Sequence, residues 1–94
     1  MKKGMSRDIN WKTTDEDGNK YQVRVHYFGG AFKFQFKEAG AEDWDYKRPI
    51  SLHDLETFLE TIQRRYPRKQ ATHDQLIIAQ NLLKDYKRKH GLPL

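Results

Sequence analysis

The stretch FGGAFKFQFK, residues 28–37, constrains the fold more than any other. A glycine pair leads into Phe32, Phe34 and Phe36, with Lys33, Gln35 and Lys37 between and after them. Alternation of rings and polar groups with period two is the pattern of a strand that has one oily and one charged face. The same alternation precedes the glycines, in Tyr21, Val23, Val25 and Tyr27, and starts earlier with Ile9, Trp11 and Thr13. The turn cluster DEDGN at 15–19 and the Gly29-Gly30 pair separate these runs, so three consecutive strands form an antiparallel meander.

Turn length sets register, and register decides which side chains share a face. A two-residue Gly29-Gly30 loop pairs Phe28 with Ala31, Tyr27 with Phe32, Val25 with Phe34 and Val23 with Phe36. For the first hairpin, a two-residue Asp17-Gly18 loop sets Trp11 opposite Arg24 and mixes the faces. A three-residue loop of Glu16, Asp17 and left-handed Gly18 pairs Ile9 with Val25, Trp11 with Val23 and Thr13 with Tyr21, and is preferred because every apolar residue then lies on one side. Beyond Gly40, Trp44 and Tyr46 alternate with Asp45 and Lys47. Pairing Phe36 with Trp44, Phe34 with Tyr46, Lys37 with Asp43 and Gln35 with Asp45 predicts a short fourth strand, ended by Pro49.

The remainder reads as two helices. Ser51 is an N-cap with Asp54 three residues on, Ile50 and Leu55 form a staple, and Leu52, Leu55, Phe58, Leu59 and Ile62 make one stripe up to Pro67. Thr72 and Gln75 form a T-x-x-Q capping box for a second helix reaching about His90, with Gly91 and Pro93 beyond. Its stripe is Leu76, Ala79, Leu82, Leu83 and Tyr86, and Ile77 falls on the opposite side. The expected class is α+β: a three- or four-stranded antiparallel meander with a C-terminal helical hairpin packed on one face. One domain over residues 9–94, after a disordered tail at 1–8, fits the 94-residue length.

Charge and composition narrow the function. The chain carries a formal charge of +5 and no cysteine, which removes disulfides, thiolate metal sites and a cysteine nucleophile. The N-terminal MKKGMSRD lacks the apolar stretch of a secretion signal, so a cytoplasmic location without membrane association is expected. His26, His53, His73 and His90 have no metal-binding spacing on a shared face, and no nucleophile, base and orienting group fall together. Neither an enzyme nor a cofactor is expected.

In these registers the polar face carries Asn10, Lys12, Thr14, Gln22, Arg24, His26, Lys33, Gln35 and Lys37, with Phe28 at the hairpin tip and Asp43, Asp45 and Lys47 added by the fourth strand. Such a face can be merely solvated. It also suits DNA or RNA: Lys12, Arg24, Lys33 and Lys37 would neutralise phosphates, Gln35 would reach a base edge, and Phe28 or His26 would stack. A second basic cluster, Arg64, Arg65, Arg68 and Lys69, lies at the junction of the helices, where helix-end electrostatics is the better explanation, because cations favour C-terminal turns. The alternative is a protein-interaction or homodimerisation module using Ile77, Phe28 or an open sheet edge. A three-strand meander followed by a helix is similar in topology to small sheet-reading DNA-binding domains of the integrase-arm type. The fourth strand and the second long helix depart from that pattern, so no residue is carried over from it.

Overall fold

The computed structural model describes residues 8–94, so the expected tail at 1–8 lies, Asp8 apart, outside the described residues. Three strands and two helices follow in order: β1 (Ile9–Thr14), β2 (Lys20–Phe28), β3 (Ala31–Glu38), α1 (Leu52–Arg65) and α2 (His73–Lys89). They fall into two compact units, one ending at Pro49 and the other spanning Ile50–Leu94.

In the first unit the strands form one antiparallel sheet in the order β1-β2-β3. Both registers follow the turn chemistry. Ile9, Trp11 and Thr13 pair with Val25, Val23 and Tyr21, while Tyr27, Val25 and Val23 pair with Phe32, Phe34 and Phe36. Gly29 and Gly30 have φ of 62° and 80°, the two positive values that a two-residue primed turn requires. In the first hairpin Gly18 (φ 85°) supplies the left-handed residue. The Asp15 carboxylate accepts from the Asp17 and Asn19 amides at 2.9 and 2.8 Å. The hydrogen bonds from Asn19, and after them that from Asp17 and the nearby Arg48 guanidinium, hold the Asp15 carboxyl below its ordinary pKa against the opposing effect of desolvation. Ile9, Tyr21, Val23, Val25 and Phe36, all on the apolar face, are buried.

The expected fourth strand is absent, and residues 41–48 contribute one isolated antiparallel bridge between Phe36 and Asp45. Its hydrogen bonds run from the Phe36 amide to the Asp45 carbonyl (2.9 Å) and from the Asp45 amide to the Phe36 carbonyl (2.6 Å). Phe36 therefore faces Asp45 and not Trp44, a slip of one residue. Because side chains alternate across a strand, that slip transfers Trp44 from the phenylalanine side to the polar side. A tight turn closed by the Ala41 amide on the Glu38 carbonyl (3.0 Å), with Gly40 at φ 84°, precedes the slipped segment. Pairings of Lys37 with Asp43, Gln35 with Asp45 and Phe34 with Tyr46 are not formed, and Tyr46 is exposed. On the apolar side, the Arg48 guanidinium stacks 4.1 Å from the Tyr21 ring centroid and pairs with Glu38 and Asp15 at 3.7 and 3.9 Å.

In the second unit, both helix starts are capped. The Asp54 amide donates to the Ser51 hydroxyl (3.1 Å), and the Thr72–Gln75 box is closed in both directions at 3.1 and 3.0 Å. The two helices are in contact, and Leu55, Phe58, Ile62, Ala71 and Ala79 are buried. After α1 the chain reverses through a pair of bonds, Gln70 amide to Arg65 carbonyl and Lys69 amide to Tyr66 carbonyl, both 3.0 Å, with Lys69 left-handed at φ 61°. This is the Schellman pattern with lysine where glycine is usual. A side chain costs roughly 1–2 kcal/mol in that conformation, against which glycine loses about 0.5–1 kcal/mol of extra backbone entropy. Lys69→Gly is accordingly expected to raise stability by about 0.5–1 kcal/mol, seen as a higher urea midpoint at unchanged slope. A lowered midpoint would contradict this account of the turn.

Candidate functional site

The registers of the sheet collect the polar side chains into rows across the three strands. Lys12, Gln22 and Lys37 form one row, Asn10, Arg24 and Gln35 the next, and His26 with Lys33 a third; Thr14 faces Lys20 at one end and Phe28 faces Ala31 at the other. The rows differ in what holds their members.

At the end nearest the first hairpin the face is hollow. Lys12, Thr14, Lys20, Gln22 and Lys37, with the Glu38–Ala41 turn, line a groove of about 630 Å³. Among the described residues, none of these three lysines makes an ion pair. Three flexible ammonium groups on one open groove, each with its donors uncommitted to an acid, are suited to an anion such as phosphate. Lys20 had not been singled out in the sequence. It has the same parity as Gln22 and Arg24, so alternation carried back to the first residue of β2 would have placed it on this face.

The middle of the face is already organised by its own side chains. Arg24 donates from Nε and Nη2 to the single Oε1 of Gln35, at 2.8 and 2.5 Å. Its guanidinium lies 4.1 Å from the centroid of the Trp44 ring, and Lys37 Nζ lies 5.8 Å from the same ring. Cation–π contacts of this kind contribute about 0.5–2 kcal/mol. The indole thus stands on the central strand, a feature that the expected strand register had assigned to the opposite side. Gln35 is committed to Arg24 through its oxygen, and what it has left for a base edge is its amide nitrogen.

Toward the second hairpin, His26 Nδ1 lies 2.8 Å from Asp8 Oδ1. The His26 ring also lies alongside Phe28, with centroids 6.3 Å apart and planes inclined by 17°. Phe28 is 69% exposed, and Lys33 is exposed on the neighbouring strand. Six of the seven singled-out residues therefore take part in specific contacts or line the groove on the face itself: Lys12, Lys37, Arg24, Gln35, His26 and Phe28. Lys33 flanks them.

The second basic cluster belongs to the helical unit. Arg64 lies 3.8 Å from Glu60 and 3.5 Å from the Thr61 hydroxyl, Arg65 is half-buried, and Arg68 and Lys69 are exposed on the reversing turn. Ile77 is exposed on α2, as its place opposite the apolar stripe requires. Among the described residues no three His, Asp or Glu side chains come together as metal ligands, and no helix is long and apolar enough to cross a membrane. Compared with known proteins, the chain matches no family model, no curated protein and no solved structure. The functional reading is therefore built on the chemistry of this face alone.

Proposed function

We propose that the chain is a non-enzymatic binding domain that takes up nucleic acid on the polar face of its sheet. The observation that carries this reading is the groove lined by Lys12, Lys20 and Lys37, continuous across the rows with Arg24 and its covering indole. Phosphates would occupy the lysine groove, and the released counterions would supply most of the affinity. The formal charge of +5 favours encounter with a polyanion from a distance. Preset contacts at Arg24 lower the entropy lost when a ligand is bound beside it.

Fluorescence anisotropy of a labelled oligonucleotide, followed between about 50 and about 200 mM salt, tests the proposal. Three phosphate contacts predict a log–log slope of about −2 for a single strand. Absence of binding at the low-salt end, or a slope near zero, would exclude it.

A further inference from the structure

We infer that the polar face is built for single-stranded nucleic acid, with an unpaired base stacking on Phe28. This rests on the proposal that the face binds nucleic acid and goes on to specify which form.

Three observations point the same way. Phe28 is a large ring at a hairpin tip, 69% exposed and backed by the His26 ring at 6.3 Å, so its orientation is supported while its surface stays available. The two tip glycines add no bulk there: apart from each glycine and its chain neighbours, no atom lies within 4 Å of where a Cβ would stand. A flat base can approach such a ring, and stacking needs no particular base because every base presents a π-face. Bases within a duplex are already stacked on each other and have no face to offer.

The third observation concerns the duplex directly. A sheet enters the major groove only if its strands lie smoothly in a channel about 12 Å wide. Here Trp44 rises over Arg24 in the central strand and interrupts that surface. An extended single strand has no such requirement. It can run along β2 from the Phe28 tip to the groove at Lys20, eight residues and about 26 Å away, passing the indole on the way.

The test compares wild-type affinity for a single-stranded oligonucleotide with that for a hairpin-free duplex of the same sequence, then repeats both with Phe28→Ala and Phe28→Tyr. The single strand is expected to bind at least about tenfold more tightly. Phe28→Ala should weaken single-strand binding by roughly 5- to 150-fold, leave the salt slope unchanged because no charge is lost, and leave duplex binding alone. Phe28→Tyr, which keeps the ring, should bind like the wild type. Equal affinity for both forms with a neutral Phe28→Ala would overturn this inference while the nucleic-acid proposal stands. Binding of neither form would remove the proposal and this inference with it.

Discussion

Replacing Lys12, Lys20 and Lys37 together with glutamate is expected to weaken single-strand binding by at least about 100-fold at 0.1 M salt. The figure follows from three lost phosphate contacts, each contributing about 0.7 to the logarithmic salt slope, before any repulsion from the new carboxylates is counted. The slope itself should fall from about −2 toward zero. A basic protein binds polyanions weakly wherever its charge lies, so the control must carry the same change in charge. Arg64, Arg68 and Lys69 replaced with glutamate serve this purpose. Each replacement shifts the charge by two, so both triple variants go from +5 to −1. If the face is the site, the helical-unit variant keeps the greater part of the wild-type affinity. Comparable losses in both would show that net charge, and not the groove, drives binding. Lys12 and Lys20 are exposed and Lys37 half-buried, so folding should survive the groove variant, and a circular-dichroism melt verifies that.

The second large effect concerns stability. Phe36→Ala should cost about 3–5 kcal/mol, the usual range for truncating a buried phenylalanine. Phe36 is 2% exposed, sits opposite Val23, and lies within 6.4 Å of the Tyr21 ring centroid. It also carries the backbone bridge to Asp45, and through it the position of Trp44. Against a typical domain stability of about 5–15 kcal/mol, such a loss removes from about a fifth to all of the stability, and the urea midpoint should fall accordingly. Lys33→Ala, three residues away on the opposite side of the same strand, should change stability by no more than about 0.5 kcal/mol. Equal effects of the two in a urea titration would mean that the strand's two faces are not distinguished in the way its alternation demands.

How far this could be read from the chain depends on which interactions are local. Both hairpin registers were legible because Gly18, Gly29 and Gly30 meet conformational requirements that few other residues tolerate, and alternation on either side accepts one register only. The helix starts were legible for the same reason, since Ser51 and the Thr72–Gln75 box act within one turn. The segment around Trp44 was not. Its alternation is compatible with two neighbouring registers, and the contact that distinguishes them, the indole on Arg24, joins residues twenty positions apart. The pattern of the fourth segment therefore suggested a strand with Trp44 on the phenylalanine side, and the single bridge reverses that assignment. As a result the candidate face gained an aromatic group it had not been expected to have, and Arg24 acquired two partners in place of open water. Lys20 was overlooked for a simpler reason, because the strand begins one residue earlier than its first apolar member suggests.

Amide and indole NMR shifts recorded while a single-stranded oligonucleotide is titrated into the protein test the central claim most directly. The account predicts perturbations concentrated at Lys12, Lys20, Gln22, Arg24, Lys33 and Lys37 and at the indole N–H of Trp44. Binding accompanied by shifts confined to α1, α2 or the turn between them, with those residues silent, would contradict it.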